Sequence, residues 1–447
     1  MSTIPSLALI PSGVKASKVY SVLPTDGTGD FTFSRAGALP SYNATRVNSE
    51  GLIEEVLSNV PRLNYPLIDG VVSGCPSLLL EPQRTNLITY SEDFTDASWA
   101  KIASVNPNNS ISPDGTQNAD TFTDLSTQYQ DVRSTPIIIS ANSTYTSSCF
   151  IKKTKGSLTN YAGFGVFLTG ILSRVDYYII NTTTGVINID ASSNINFSSY
   201  YIEDYGNYWR VVCTFKDNQS NTNCTLLLYP AISTNGTSIN QNAQGSNVFW
   251  GAQLELGSYP TSYIPTNGSQ VTRVAETANG AGDASTFNDS EGVLFAEIKG
   301  FEEIPSDSGY ITISSPSVSF DNALLMQFRS NGDLRIYFGG SASSNIQFIA
   351  ADINFTDNNK IAVQYDSIGS NYKLFVNGVA IARYGLATNQ SVVGLSELNL
   401  NYSNLVALGN TKQIQYFDSA LNDSDLETLT SWTSFSEMAT SQLYTIE

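Results

Sequence analysis

Residues 144–153 read TYTSSCFIKK, and five more runs of this kind follow before residue 256. These are YAGFGVFLTG (161–170), RVDYYIINTTTGVINI (174–189), YWRVVCTF (208–215), CTLLLYPAI (224–232) and NVFWGAQLEL (247–256). They are rich in Tyr, Val, Ile, Phe and Thr, which favour β-strands. The Asn-Thr-Thr-Thr-Gly segment at 181–185 separates two alternating runs and indicates a hairpin. Strands spaced in this way predict a sandwich or jelly roll over residues 86–275.

The first 85 residues differ from this pattern, because proline interrupts their short apolar runs repeatedly. These prolines include Pro24, Pro40, Pro61, Pro66, Pro76 and Pro82. Such a pattern predicts extended segments and short edge strands. A region of this kind buries little against itself, so we expect it to pack on the next domain or on a neighbouring chain. We interpret residues 1–85 as an N-terminal anchoring and assembly region.

Strand-like runs return in residues 276–447, the third predicted domain. This domain follows the stretch TSYIPTNGSQVTRVAETANG (261–280), which is typical of a linker. Within the third domain, the Asn377-Gly378 pair predicts a tight hairpin between two strands.

The C-terminus is the part of the sequence that has a helical pattern. Ser424 and Glu427 have the spacing of a capping box, and the segment SFSEMATSQLY (434–444) predicts a second short helix. The predicted fold class is therefore all-β. It consists of an N-terminal short-strand region, a jelly-roll sandwich and a second β-sandwich with short C-terminal helices.

Composition excludes several classes of function. The 447 residues include 22 Lys and Arg, 40 Asp and Glu and no histidine, for a formal net charge of −18. An acidic chain gains nothing from releasing phosphate counterions, so we expect neither a nucleic acid nor an anionic membrane surface as a partner. Without histidine, a Ser-His-Asp relay and a His-ligated zinc are excluded. The four cysteines have no CxxC spacing and favour free thiols, and no metal or cofactor is expected.

The N-terminal sequence carries no recognisable targeting signal. The segment MSTIPSLALIPSGVKASK has no basic residues ahead of its short apolar run, so we do not expect a signal peptide. No stretch approaches about 18 consecutive apolar residues, the length that a transmembrane helix needs. We therefore expect synthesis in a cytoplasm and no membrane insertion.

Several long stretches resemble a module that recurs in virion proteins of bacterial viruses, namely head-spike, head-fibre and tail-fibre proteins. Those that carry the resemblance include LPTDGTGDFTFSRAGA (23–38), NVPRLNYPLIDG (59–70), CPSLLLEPQRTNLITYSEDF (75–94) and WGAQLELGSYPTSYIPTNGSQVTRVAE (250–276). The block between the last two resembles a carbohydrate-binding-module jelly roll.

The third domain is similar to a laminin-G or concanavalin A-like sandwich. The motifs are VQYDSIGSNYKLFVNGV (363–379) and QIQYFDSALNDSDLETLTSW (413–432). Together these resemblances imply a spike or fibre on the surface of a bacteriophage particle, made in the cytoplasm of the bacterial host. They imply capsid or tail proteins and a host-surface glycan as partners. A homo-oligomer is expected, and the expected form is a trimer.

Tyrosines supply the candidate ligand site. Seven of them crowd between residues 161 and 208, amid Asn and Ser. At 177–178 and 200–201 two tyrosines are adjacent in predicted strands, so one of each pair must point away from the core. Sugar rings present apolar C–H faces that stack on tyrosine, although a polar protein interface would use the same residues. The candidate glycan-binding residues are Tyr161, Tyr178, Tyr201 and Tyr205.

Paired carboxylates would be the mark of a glycan-cleaving enzyme. The nearest candidates, Glu297, Glu302 and Glu303, lack the central Asp and the spacing of the Glu-x-Asp-x-x-Glu strand found in glycosidases with concanavalin-like folds. We therefore predict a protein that is not an enzyme and has no catalytic residues. A polysaccharide-directed enzyme or accessory glycan-binding module is the alternative. A purely architectural capsid decoration protein is the second alternative.

Overall fold

The computed structural model describes residues 4–35, 44–155, 161–195, 198–216, 221–300, 309–315, 322–329, 331–341, 344–351, 353–384, 389–402, 405–406 and 409–432. Within these ranges the chain forms strands β1–β39 and a single helix, α1, which confirms the all-β prediction. In the same ranges no helix has the length and apolar character needed to cross a membrane.

The strands are short near the N-terminus and longest in the middle of the chain. Strands β1–β11 are Leu7–Leu9, Val14–Lys15, Lys18–Val19, Phe31–Ser34, Ala44–Val47, Ile53–Val56, Arg62–Asn64, Leu67–Ile68, Val71–Val72, Ser77–Leu80 and Arg84–Asn86. Strands β12–β24 are Trp99–Lys101, Ser104–Ser110, Ala119–Asp124, Val132–Ser134, Ile137–Ile138, Thr144–Lys152, Tyr161–Thr169, Arg174–Ile180, Ile187–Ile189, Ser198–Tyr205, Tyr208–Lys216, Asn223–Ser233 and Gly245–Leu256.

The remaining elements form the C-terminal part. Strands β25–β39 are Val271–Arg273, Thr277–Asn279, Glu291–Lys299, Gly309–Ser314, Ala323–Phe328, Leu334–Ser341, Ser344–Ala350, Asn359–Asp366, Lys373–Val376, Val379–Ile381, Arg383–Tyr384, Glu397–Asn399, Asn401–Tyr402, Leu405–Val406 and Gly409–Phe417. Helix α1 is Asp423–Ser431.

Two antiparallel sheets face each other in the middle of the chain. In the described residues, the first jelly-roll sheet has the order β12-β15-β23-β18-β19-β20, with β16 also on β23, and the second has the order β13-β14-β24-β17-β22-β21. The chain crosses between these sheets from β17 to β18, from β20 to β21, from β22 to β23 and again to β24. This double-sheet arrangement with repeated crossings is that of a jelly roll, and it confirms the sandwich predicted here.

Alternating side chains fill the space between these sheets. In β18, Phe164, Val166 and Leu168 point inward and are fully buried in the same core as Trp99 and Phe249. The predicted hairpin at 181–185 joins β19 to β20, with Ile180 opposite Ile187. Both observations follow from the period-2 pattern of the sequence.

A second sandwich is formed by the C-terminal part of the chain. Its larger sheet has the order β34-β33-β32-β27-β39-β10-β7, with β1 also on β39, and its smaller sheet has the order β35-β31-β30-β29-β28-β36. Helix α1 packs on the outer side of the larger sheet, where Leu426 and Trp432 share a cluster with Phe295 and Phe375. The predicted hairpin at Asn377-Gly378 joins β33 to β34, and both residues have positive φ, as this tight turn requires.

The N-terminal region completes this second sandwich. Strand β39 pairs along one edge with β27, and along the other edge with both β1 and β10. Leu9, Phe31 and Leu78 are buried in the core of the same sandwich. Strands β1, β7 and β10 thus lie in one sheet with β39, the last strand among the described residues. The three-domain division at residues 85 and 275 stays a prediction. The described part of residues 1–85 nevertheless packs on the second sandwich and shares its core.

Five buried charged residues connect the N-terminal region to the end of the jelly roll, and we call them the junction cluster: Arg35, Arg62, Glu81, Arg273 and Glu276. Arg35 Nη1 lies 2.6 Å from Glu276 Oε1, and Glu81 Oε2 lies 2.7 Å from Arg62 Nη1 and 2.9 Å from Arg273 Nη1. Burial alone would raise the pKa of Glu81, but Arg273 and Arg62 lower it to about 2. The carboxylate is therefore held in its charged form.

The junction cluster corrects the prediction of a linker, and it shows where the stretches that resemble virion proteins lie in the fold. The predicted linker at 261–280 is not a free connection, because Tyr263, Ile264, Arg273 and Glu276 within it are buried. The members of the cluster come from the separate stretches that carry the virion-protein resemblance. Those stretches meet in space to form a structural junction.

The helix cap also differs from the prediction. Asn422 is the N-cap of α1, and its side chain accepts a hydrogen bond of 2.9 Å from the backbone N–H of Asp425. The predicted capping residue, Ser424, already lies inside the first turn, since an asparagine two residues earlier satisfies the free N–H group. The second predicted helix, at 434–444, lies outside the described residues.

Candidate functional site

The structure separates the four candidate tyrosines. Tyr178 points into the core, where it is fully buried and packs 5.3 Å from the ring of Tyr200. It cannot stack on a ligand, so the prediction is wrong for this residue. Its neighbour Tyr177 takes the outward side of β19 instead, because successive residues of a strand alternate between its faces.

Tyr177 belongs to an aromatic group on the outer side of the first jelly-roll sheet. The Tyr177 and Tyr229 rings meet edge to face with centroids 6.2 Å apart, and the Tyr129 and Tyr229 rings do so at 6.4 Å. Tyr229 is buried, Tyr177 is half-buried and Tyr129 is 38% exposed. We call these three residues, with Asp131 and Arg133, the tyrosine face.

A guanidinium group is fixed beside these rings. Arg133 Nε and Nη2 donate hydrogen bonds of 2.7 Å and 2.6 Å to the two carboxylate oxygens of Asp131. The Asp131 side chain is buried, whereas the Arg133 side chain is 40% exposed. Burial alone would lower the pKa of Arg133, but the bonds to Asp131 outweigh it and raise this pKa. The two-point contact fixes the guanidinium plane and leaves its remaining N–H groups for another acceptor.

A second carboxylate and a loop border the tyrosine face. Burial raises the pKa values of Tyr129 and Tyr177, and the nearby carboxylate of Asp190 raises both of them further. Asp190 itself accepts a 2.8 Å hydrogen bond from the backbone N–H of Ile239, which holds the loop after β23. Tyr161 lies under this loop, because a Cβ on Gly236 would come within 2.8 Å of its ring. Tyr161 is therefore half-buried at the border.

Tyr201 and Tyr205 lie elsewhere, in a cleft of about 500 Å³ where the N-terminal region, the jelly roll and the second sandwich meet. We call it the junction cleft. Both side chains are half-buried and project from β21. The structure thus brings two of the four candidates together. Their role in binding a glycan stays a prediction.

Arg210 anchors the jelly-roll wall of the junction cleft. It donates a 2.8 Å hydrogen bond to the carbonyl of Thr261, contacts the Ser148 hydroxyl at 3.1 Å and lies 3.4 Å from Glu203. The Tyr205 ring packs edge to face on Phe150, with centroids 5.1 Å apart. Burial raises the pKa of Tyr205 to about 12, so its hydroxyl stays protonated.

The carboxylates considered for acid–base chemistry are Glu81 at the junction cleft and the sequence candidates Glu297, Glu302 and Glu303. Glu81 lies at the junction cleft, but its pKa of about 2 leaves it without a proton to donate. Glu297 accepts hydrogen bonds from Asn358 and Gln413 within the second sandwich, and Glu302 and Glu303 lie outside the described residues. Among the residues that the structure describes, no group of three or more His, Cys, Asp and Glu side chains is arranged to hold a metal ion.

Sequence reasoning missed Tyr129, Tyr229 and Arg133. Arg133 follows Asp131 at a spacing of two, which places both side chains on one side of an extended segment. This spacing is visible in the sequence, but it is too common to identify a binding residue. Tyr129 lies in the loop before β15, and no local pattern links it to Tyr229, which is a hundred residues further along the chain.

No protein-family model matches the chain, and no curated protein matches it. Similar solved structures include the CBM40 module of the Ruminococcus gnavus IT-sialidase bound to α2,3-sialyllactose, which is 18% identical over 33% of this chain and 86% of that one, with a TM-score of 0.29. A mutant of NanB sialidase from Streptococcus pneumoniae is 16% identical over 33% and 25%, with a TM-score of 0.28. A SAP-like pentraxin from Limulus polyphemus is 12% identical over 32% and 71%, with a TM-score of 0.26. Similarities at this level do not establish a ligand or an activity.

Proposed function

We propose that this chain binds carbohydrate through the tyrosine face of its jelly roll. The observation that supports this most directly is the arrangement of Arg133, which Asp131 holds at two points close to the side chains of Tyr229 and Tyr177. Aromatic rings beside a fixed polar group are the combination that a sugar needs. Its C–H face packs on a ring, and its hydroxyls accept hydrogen bonds from the guanidinium.

The same geometry indicates a weak site. Only Tyr129 and Arg133 have large exposed fractions, so one sugar ring would contact few side chains. Useful attachment would then depend on several copies binding at once, because linked weak sites gain strength through effective concentration. This favours a homo-oligomer, and a trimer is the form that we propose.

The setting that we propose is the surface of a bacteriophage particle, on which the chain serves as a spike or fibre and attaches to host-surface glycans. The support for this is the sequence resemblance of residues 23–38, 75–94 and 250–276 to virion proteins. The N-terminal region would then contact capsid or tail proteins. We propose no catalytic activity, since Glu81 and Glu203 at the junction cleft are held in ion pairs.

An array of bacterial-surface polysaccharides tests the proposed function. Full-length protein is compared with the Tyr129→Ala and Tyr177→Ala variants, and Tyr384→Ala serves as the matched control because Tyr384 is an exposed tyrosine on the second sandwich. We expect each tyrosine-face variant to bind roughly tenfold more weakly, the equivalent of losing about 1.4 kcal/mol of contact. Unchanged binding by both folded variants would contradict the proposal, as would an equal loss in the control.

A further inference from the structure

The junction cleft is distinct from the tyrosine face and is built from all three parts of the chain. Its volume of about 500 Å³ lies within the range of ligand sites in proteins, about 300–1,000 Å³. The N-terminal region contributes Asn64, the jelly roll contributes Tyr201, and the second sandwich contributes Asp357 and Asn410. A molecule bound there would contact every part of the fold at once.

One wall of the cleft is a row of alternating side chains on an edge strand. Tyr201, Glu203 and Tyr205 are two residues apart along β21, so they project from the same side of the strand. The row spans about 13 Å from the first tyrosine to the second, at 3.3 Å per residue. Two half-buried rings with a carboxylate between them match an extended ligand that offers apolar faces and hydroxyl groups along its length.

The charges that line the cleft cancel. The acidic side chains are Glu81, Glu203 and Asp357, and the basic ones are Arg46, Arg210 and Lys299. Four of them form ion pairs within the protein. Glu81 is bound by the arginines of the junction cluster, Glu203 pairs with Arg210, and Arg46 pairs with Glu54. A lining of this kind does not favour an anion or a cation, so the ligand class that fits is uncharged.

The floor of the cleft is held in place before any ligand arrives. Ser262 donates hydrogen bonds to Glu81 from its backbone N–H at 2.7 Å and from its hydroxyl at 2.6 Å. Arg62 and Arg273 fix the same carboxylate from below. Pre-organised polar groups lower the entropic cost of binding, which matters for a flexible ligand.

From these observations we infer that the junction cleft is a second binding site, and that it takes a linear, uncharged oligosaccharide along β21. The inference goes beyond the proposed function, because it does not use the tyrosine face. Since the ligand contacts three parts of the chain, its binding also stabilises the junction between them against unfolding.

Titration calorimetry and thermal unfolding of the full chain test this inference. The probes are linear neutral oligosaccharides of three to six units, namely α- and β-linked glucose, galactose and mannose chains, together with oligogalacturonate and sialyllactose as charged comparisons. The variants are Tyr201→Ala, Tyr201→Phe, which keeps the ring, and Tyr177→Ala, which removes a ring of the tyrosine face.

We expect at least one neutral probe to bind the wild-type chain and raise its unfolding temperature. Tyr201→Ala should weaken that binding about tenfold, whereas Tyr201→Phe and Tyr177→Ala should leave it within about twofold. The inference is overturned if no neutral probe binds at millimolar concentration, if only the charged probes bind, or if Tyr177→Ala abolishes the binding while Tyr201→Ala does not. The last outcome would place all glycan binding on the tyrosine face and leave the proposed function intact.

Discussion

Replacing Glu276 by glutamine should destabilise the fold far more than its single lost charge would on the surface. The Glu276 carboxylate is fully buried and accepts hydrogen bonds from Arg35 Nη1 at 2.6 Å, from Arg62 Nε at 2.9 Å and from the backbone N–H of Glu81 at 2.9 Å. In the variant, Arg35 keeps its charge but loses its carboxylate partner. Breaking a buried ion pair from one side costs about 3–5 kcal/mol, because the remaining charge stays desolvated.

The assay is chemical unfolding followed by tryptophan fluorescence, with two comparison variants. Glu276→Asp keeps the charge, so most of the stability should remain. Glu54→Gln is the matched surface control, because Glu54 pairs with Arg46 at 2.9 Å and is 44% exposed. That exposed pair should contribute at most about 1 kcal/mol. A loss for Glu276→Gln no larger than that for Glu54→Gln would refute the role assigned to the junction cluster.

Two further predictions concern stability. Burial raises the pKa of Glu92 from its ordinary 4.5 to about 7, so the folded state binds a proton that the unfolded chain releases. Stability from this group is present below pH 4.5 and is lost as the pH rises to 7, by roughly 3 kcal/mol at most. Glu92→Gln should remove that slope when unfolding is measured across this range, and a profile parallel to wild type would contradict the assignment. In the same assay, Asn422→Ala should lower the free energy of unfolding by about 1 kcal/mol and Ser424→Ala by much less. A larger loss for Ser424→Ala would contradict Asn422 as the N-cap and support the sequence prediction of Ser424.

The sequence was sufficient for the class of the fold and for several turns, because these depend on local patterns. Runs of β-branched and aromatic residues predicted the strands of the jelly roll, and the Asn377-Gly378 pair predicted a hairpin that the positive φ angles of both residues confirm. Which of two adjacent tyrosines faces the core is not a local property. It depends on the register of β19 against its neighbours, and the choice of Tyr178 over Tyr177 was wrong for that reason.

The long-range assembly lay beyond the sequence pattern. Leu7–Leu9 pair with residues 414–416, and nothing in either segment identifies the other as its partner. The same holds for Arg35 and Glu276, which are separated by 241 positions and form one ion pair. The resemblance to virion proteins pointed to the stretches that contain these residues, but it did not show that their arginines and glutamates meet in the interior.

The most direct test of the account is a crystal structure of the full chain soaked with the glycan that binds most strongly on the polysaccharide array. The account predicts a sugar ring packed against Tyr129 or Tyr177, with a hydroxyl within hydrogen-bond distance of Arg133. A structure with glycan bound only outside the tyrosine face, the junction cleft included, would contradict the proposed function.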